Sequence, residues 1–293
     1  MRKIFLLLII VLALGALTGC DRQQADDGRL QVTASFYPMA EFARAVGGDK
    51  VHVTTLVPDG AEPHDWEPSP RDLTQIGRSR VFVYNGIVEP WAQQVLEALS
   101  ERKIIAVEAG AGLYERDGKV DPHVWISPKK AIIEVQRITE AMCRADGDND
   151  SYYRKNSAAY IKQLQKLDAE LTQVANAAPK KVFITAHAAF GHLASDYGLQ
   201  QLAVKGMSTE AEPSPGDLKQ LVEVVRREKV RYIFFETLTD PKIAQIIATE
   251  TRAQMAVLDP IEGLNAEGRA QGLTYIKIMQ RNIDSLNKAL NDK

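Results

Sequence analysis

The feature that most constrains the fold is a central stretch, Ser151 to Ala178, that contains neither glycine nor proline. Its apolar residues recur at three- and four-residue steps, the spacing that gathers side chains on one face of a helix. These residues are Tyr153, Ala159, Tyr160, Leu164, Leu167, Leu171 and Val174. At about 1.5 Å per residue, a helix of this length reaches roughly 40 Å, the width of a small protein. The sequence therefore predicts a linking helix over residues 148–179, because a flexible linker would be rich in glycine or serine.

Short runs rich in β-branched residues alternate with helical patterns on both sides of this stretch. The predicted strands cover residues 31–36, 52–57, 80–84, 103–107, 181–186, 199–204, 231–235 and 254–258. The predicted helices cover residues 38–46, 70–77, 90–99, a segment after 127–128, and 189–197, 215–228, 241–251 and 266–290. Such alternation indicates parallel α/β units. The predicted fold is therefore α/β, with two α/β lobes (residues 30–147 and 180–293) whose mostly parallel sheets are joined by one long backbone helix.

The N-terminus has a different composition. Arg2 and Lys3 precede an uncharged apolar run that is too short to span a membrane comfortably and is typical of a signal peptide. The run ends in Leu17-Thr-Gly-Cys20, which resembles a lipobox, where cleavage precedes a cysteine that carries diacylglycerol. We therefore predict a signal peptide over residues 1–19, a lipid on Cys20 and a polar tether over residues 20–29. The mature protein is expected to be extracytoplasmic and anchored to the cell membrane.

Charge and cysteine content argue against a nucleic-acid-binding protein and against a disulfide-rich one. The formal net charge is -2, so no strongly basic surface favours nucleic acid as a partner. With Cys20 lipidated, Cys143 remains alone and no disulfide framework can form. We expect Cys143 to be a small buried apolar residue on a helix.

Three histidines and one aspartate closely follow predicted strands. His64 follows the second strand and His123 the fourth, whereas His187 and Asp259 end two strands of the second lobe. In open parallel sheets ligands bind outside the carboxyl ends of the strands. Two lobes facing each other would bring all four residues into one cleft. Three imidazoles and a carboxylate suit a closed tetrahedral Zn²⁺ site, so we predict His64, His123, His187 and Asp259 as metal ligands.

Four other residues near these positions are weaker candidates for a role in the metal site. Glu62 and Glu236 lie near strand ends and could orient a ligand or act as a substitute carboxylate. His52 alternates with valines on a strand and therefore points away from their face. His192 follows His187 by five residues, a spacing that diverges on a helix.

Motifs in both lobes resemble those of one family. They are Gly60-Ala-Glu-Pro-His-Asp-Trp-Glu-Pro-Ser-Pro70, Tyr84-Asn-Gly86 with Glu89-Pro-Trp91, Asp121-Pro-His-Val-Trp-Ile-Ser-Pro128, His187-Ala-Ala-Phe-Gly191, Ser208-Thr-Glu-Ala-Glu-Pro-Ser-Pro215, Phe234-Phe-Glu236 and Leu258-Asp-Pro260. From about Leu30 to the C-terminus the chain is similar to the zinc/manganese solute-binding proteins of ABC transporters, the ZnuA- and TroA-like group. The resemblance implies a monomeric binding protein, not an enzyme, whose partners are an ABC permease and its ATPase. It also implies a metal held between the lobes by the same four residues.

The type of metal depends mainly on His187. Neutral imidazole suits zinc, whereas carboxylate oxygen suits manganese, and manganese-binding relatives often carry a carboxylate at the position that matches His187. The segment 113–120 is short and contains no histidine, unlike the histidine-rich loop of many zinc-specific members. We weigh the ligand set above the loop and predict Zn²⁺ as the transported ligand, with Mn²⁺ as the alternative.

Two other functions stay open from the residues alone. A secreted zinc-dependent hydrolase would also use histidines and carboxylates, although catalytic zinc usually keeps one position free for water. A lipoprotein displayed outward could instead be a surface adhesin.

Overall fold

The structure is a computed structural model that describes residues 28–116, 118–204, 214–238 and 240–291. The first lobe contains strands β1 (Leu30–Ala34), β2 (Val51–Thr55), β3 (Val81–Tyr84) and β4 (Ile105–Glu108) and a hairpin of β5 (Glu115–Arg116) and β6 (Lys119–Val120). Its helices are α1 (Tyr37–Gly47), α2 (Pro70–Arg78), α3 (Ala92–Ala98) and α4 (Pro128–Ala145). The linking helix is α5 (Asp150–Ala177).

The second lobe repeats the alternation of strands and helices. Its strands are β7 (Val182–Thr185), β8 (Gln200–Ala203), β9 (Tyr232–Phe235) and β10 (Gln254–Val257). Its helices are α6 (Gly191–Asp196), α7 (Pro215–Arg227), α8 (Lys242–Thr251), α9 (Ala266–Ala270) and α10 (Tyr275–Asn291). The predicted two-lobe α/β fold with a long helix is confirmed.

Both main sheets have the same strand order. The first sheet runs β2-β1-β3-β4 and the second β8-β7-β9-β10, and every pair of neighbours is parallel. In each sheet the first strand of the lobe therefore lies between the second and the third. Loops that leave such strands gather at the carboxyl edge of the sheet, where ligands of open α/β sheets bind.

Helix α5 buries one stripe of side chains against both lobes. The stripe is Tyr153, Ser157, Tyr160, Leu164, Leu167, Leu171 and Ala175. It differs from the predicted stripe at Ala159, which is exposed, while Ser157 is buried and accepts a hydrogen bond from the Thr139 hydroxyl at 2.8 Å. The stripe packs on α1, α4 and α10, and the resulting hydrophobic core contains residues of both lobes. Because residues of both lobes share this core, the core does not show where one lobe ends and the other begins. The predicted lobe boundaries at residues 147 and 180 therefore stay predictions.

The predicted single helix over residues 266–290 was wrong, because α9 and α10 are separate. Gly272 adopts a φ of 59°, the left-handed conformation that ends helices at low cost for glycine. The N–H of Leu273 donates to the carbonyl of Gly268 at 2.9 Å, and the N–H of Gly272 donates to that of Arg269 at 3.0 Å. This pair of bonds closes α9 and redirects the chain into α10.

The predicted signal peptide and the lipidated Cys20 lie outside the described residues. Within the described ranges, no helix is both long enough and apolar enough to cross a membrane.

Candidate metal centre

Side chains from four loops meet between the two sheets. His64 follows β2, His123 follows the β5–β6 hairpin, His187 follows β7, and Glu262 follows β10. One ligand atom each from His64, His123 and Glu262 lies within 4.8 Å of the other two. His187 adjoins this group, with its Nε2 3.6 Å from Glu262 Oε1. The structure thus brings the three predicted histidines together, and it joins them to a glutamate that the sequence reasoning missed.

The distances within this cluster match those around a tetrahedral metal ion. Glu262 Oε1 lies 3.2 Å from His64 Nε2 and 3.3 Å from His123 Nε2, and the two histidine nitrogens are 3.1 Å apart. Ligand atoms held about 2.0–2.1 Å from a tetrahedral Zn²⁺ are separated from one another by about 3.4 Å. The cluster can therefore take up such an ion with small movements of its side chains.

Carboxylates behind two of the histidines fix the direction of their rings. His123 Nδ1 lies 2.8 Å from Asp121 Oδ1, and His187 Nδ1 lies 2.6 Å from Glu236 Oε2. The backbone N–H groups of both histidines donate to the same carboxylates at 3.1 Å. With Nδ1 engaged in this way, Nε2 of each ring faces the cluster, as is usual for histidines that bind metals. Glu236 lies where the sequence suggested an orienting carboxylate, whereas Asp121 was missed although it stands two residues before His123.

The centre is closed to solvent and leaves one nitrogen without a partner. The side chains of His123, His187 and Glu262 are at most 1% exposed, and that of His64 is 13% exposed. His187 Nε2 is buried and makes no hydrogen bond to any residue that the structure describes. A buried polar atom without a partner costs stability, so a bound cation would satisfy an atom that the protein itself does not.

Asp259, the predicted fourth ligand, lies outside the cluster because its carboxylate is used locally. Its Oδ1 accepts from the N–H of Ile261 at 2.7 Å, and its Oδ2 accepts from the Thr237 hydroxyl at 2.8 Å. Its backbone N–H and carbonyl bond to the side-chain amide of Asn282 at 2.8 and 2.7 Å. Asp259 therefore anchors the loop whose later residue, Glu262, enters the centre.

The backbone turns sharply just before Glu262. Ile261 has a φ of 60°, a left-handed conformation that is rare for a β-branched residue, and its side chain is fully buried. The Trp125 indole N–H donates to the carbonyl of Pro260 at 2.7 Å, which fixes the loop to the first lobe. Strained residues of this kind persist where the surroundings determine the conformation, often at functional sites. Here the turn aims Glu262, rather than Asp259, at the histidines.

Glu62 and His192 surround the centre without joining the cluster. Burial and the negative charge of Glu262 raise the pKa of Glu62, His187 opposes both, and the net value is about 7. One carboxylate oxygen of Glu62 is buried and has no hydrogen-bond partner within the described part of the chain. His192 Nε2 lies 2.9 Å from the carbonyl oxygen of Asp121, so this ring supports the loop that precedes His123.

The charges in the centre favour a protonated metal-free state. Burial lowers the pKa of His123 and His187, but their carboxylate partners outweigh it, and the pKa of His187 rises to about 10. Burial raises the pKa of Glu262, yet the close contacts of His123 and His64 and the positive charge of His187 hold it well below its usual value. At neutral pH the metal-free centre thus pairs imidazolium with carboxylate.

Zinc binding should therefore release about one proton or more at neutral pH, because an imidazole must lose its proton before Nε2 can bind a metal. Affinity should fall as the pH is lowered, since protons then compete more strongly for His187 and His123. Titration calorimetry in buffers of different ionisation enthalpy measures the released protons directly. A binding heat that does not depend on the buffer would contradict this prediction.

The family model described as "Zinc-uptake complex component A periplasmic", ZnuA, matches residues 32–289. The chain belongs to the ZnuA family. It is 39% identical to the high-affinity zinc uptake system protein ZnuA of Bacillus subtilis over 280 residues, which cover 89% of this chain and 88% of that protein. It is 36% identical to the zinc-binding lipoprotein AdcA of Streptococcus pneumoniae, with 98% of this chain covered but only 61% of AdcA.

Solved structures of ZnuA-like proteins have the same fold. The Zn(II)-bound ZnuA-like domain of Streptococcus pneumoniae AdcA aligns with a TM-score of 0.82 at 37% identity, covering 90% of this chain and all of that domain. The laminin-binding protein Lmb of Streptococcus agalactiae, described as having adhesin and metal transporting activity, aligns with the same TM-score at 33% identity, covering 89% of this chain and 99% of that protein. Membership in the ZnuA family confirms the resemblance inferred from the motifs, and with it the expectation of a solute-binding protein rather than an enzyme.

Proposed function

We propose that this protein captures Zn²⁺ outside the cytoplasm, between its two lobes, and delivers it to an ABC importer. The observation that carries the proposal is the position of Glu262 Oε1, which lies 3.2 to 3.6 Å from the Nε2 atoms of three histidines. We assign His64, His123, His187 and Glu262 as the ligands. Asp259, expected from the sequence as the fourth ligand, takes the role of an anchor for the Glu262 loop.

The chemistry of the ligand set supports zinc as the cargo. Three imidazole nitrogens and one carboxylate oxygen suit four-coordinate Zn²⁺, whereas Mn²⁺ prefers more oxygen ligands. The relatives named above are a zinc uptake protein and a zinc-binding lipoprotein. A hydrolase is less well supported, because four protein ligands would leave no position for the attacking water.

Metal analysis and growth together test the function. Purified protein should contain about one zinc per chain, lose it to a strong chelator and regain it from Zn²⁺ at the stoichiometry expected for one four-ligand site. Deletion of the gene should slow growth under zinc limitation, and added zinc should restore it. Rescue by manganese alone would overturn zinc as the cargo, and a chain that binds no metal would overturn the function itself.

The membrane and the importer are the partners that this role requires. A binding protein held near the permease by a lipid on Cys20 would present its cargo at high local concentration. The family is the periplasmic component of a zinc-uptake complex, so an ABC permease and its ATPase are the expected partners, with the protein itself acting as a monomer.

Replacing Cys20 with alanine should release the protein from membranes, because a diacylglycerol supplies the two chains that stable anchoring needs. Cys143→Ala is the matched control, since Cys143 is buried on α4 and should leave fractionation unchanged. Membrane fractions and lipid labelling of both variants measure the effect. Equal membrane association of Cys20→Ala and wild type would remove Cys20 as the anchor.

A further inference from the structure

We propose that zinc reaches the centre through a cavity between the lobes, and that an ion pair between Asp59 and Arg269 on the rim of this cavity holds its two walls together. The inference rests on the proposed function, because it assigns a route and a latch to the same metal centre. In this inference Asp59 and Arg269 control the rates of zinc binding and release. The ligands alone do not determine these rates.

A cavity connects the surface to one ligand of the centre. It has a volume of about 340 Å³ and is lined by both lobes, with Tyr37, Arg44 and Asp59 on one side and Glu262, Leu264 and Arg269 on the other. Exposure falls along it, from 63% for Arg269 and 41% for Asp59 to 1% for Glu262. Glu262, in the middle of the cluster, therefore lines the same cavity as the exposed Asp59 and Arg269.

The loop that forms one wall of the cavity also carries a ligand. Asp59 lies in the segment between β2 and His64, and His64 is the ligand with the greatest exposure. Gly60, next to Asp59, has a φ of 77° and no atom near the position where a Cβ would lie. This segment thus has both the backbone freedom and the space to move, and its movement away from the second lobe would widen the cavity toward Glu262.

The ion pair crosses the gap that this movement must open. Asp59 belongs to the first lobe and Arg269 to α9 of the second, and the guanidinium contacts the carboxylate directly. The break at Gly272 ends α9 and leaves Arg269 on the rim of the cavity. Because both side chains are largely exposed, the pair is weak, so it should affect the opening rate rather than the fold.

The latch is tested with Asp59→Asn and Arg269→Gln, each measured by stopped-flow zinc binding and by release into excess chelator. Both variants should speed binding and release alike, by about 1.5- to 5-fold, the range expected for one exposed ion pair. The equilibrium affinity should stay the same, because a latch of this kind acts equally on the closed state with zinc and on the closed state without it. The double variant Asp59→Arg with Arg269→Asp should restore wild-type rates.

Arg154→Gln provides the matched control, because Arg154 forms an exposed ion pair with Glu140 on the outer side of the molecule and should leave both rates unchanged. Unchanged rates in both latch variants would overturn the latch while the proposed function stands. Simple electrostatic attraction would instead slow binding in Asp59→Asn and speed it in Arg269→Gln, and that pattern would also overturn the latch. Faster release with unchanged binding would show that the pair positions His64, which again overturns it. A wild-type chain that binds no zinc would overturn function and latch together.

Discussion

Replacing Glu262 with glutamine should weaken zinc binding by about a hundredfold or more, since even residues that only orient a ligand change affinity by about 10- to 100-fold. Glutamine has nearly the same shape, so the change removes the negative charge and leaves the packing in place. The loss should be large because Glu262 Oε1 approaches all three histidines and is almost fully buried. Competition against a fluorescent zinc chelator measures the affinity.

Asp259→Asn separates the role of a ligand from that of an anchor. An asparagine oxygen can still accept from the N–H of Ile261, so the loop should keep its turn and affinity should fall by less than about tenfold, below the range for residues that orient ligands. If Asp259→Asn lost as much affinity as Glu262→Gln, Asp259 would have to reach the metal, and the ligand set proposed for this centre would be wrong.

Saturating zinc should raise the melting temperature by about 10 °C at neutral pH. A ligand present at a thousand times its Kd and bound only by the folded state adds about 4 kcal/mol to the free energy of unfolding. In a chain of this size each kcal/mol shifts the melting temperature by about 2–4 °C. Because the ligands come from both lobes, the stabilisation should appear in one transition for the whole molecule, which differential scanning calorimetry records.

The gain from zinc should shrink as the pH falls, because protons stabilise the metal-free centre with which the zinc-bound state is compared. Protons compete with the metal for His187 and His123, whose pKa values are raised in the metal-free centre. In terms of stability, the same effect means that a histidine with a raised pKa stabilises the metal-free fold fully below the unfolded-state pKa, about 6.5, and that this contribution is lost as the pH rises toward about 10 for His187. A melting temperature indifferent to zinc and chelator at neutral pH would contradict the assignment of this centre.

The sequence predicted the three histidines because two separate arguments agree on them. Each lies after a strand whose carboxyl end faces the cleft, and each lies in a motif that resembles the family. Glu262 could not be chosen over Asp259 in the same way, because both follow β10 within a few residues. The choice depends on the left-handed turn at Ile261 and on the hydrogen bonds that retain Asp259, and no glycine marks that turn in the sequence.

The fold was predictable where the pattern of side chains is periodic and less so where one residue changes the backbone. The absence of glycine and proline predicted α5, and the β-branched runs predicted the eight strands of the two parallel sheets. The helical pattern continues past Gly272, however, so the break between α9 and α10 was missed. The pairing of Asp121 with His123 was also missed, since it requires the backbone to fold back within two residues.

The hydrophobic core that both lobes share around α5 has a consequence for how the newly synthesised chain folds. The last helix, α10, packs on α5 and reaches the first lobe, where the Tyr275 hydroxyl donates to the carbonyl of Trp125 and its ring meets Phe42 at 4.9 Å between centroids. The lobe that is synthesised first therefore lacks part of its interior until the end of the chain arrives. A fragment cut after α5 would expose the part of that helix that α10 covers. Because this core is continuous across α5, we expect the two lobes to fold and unfold together.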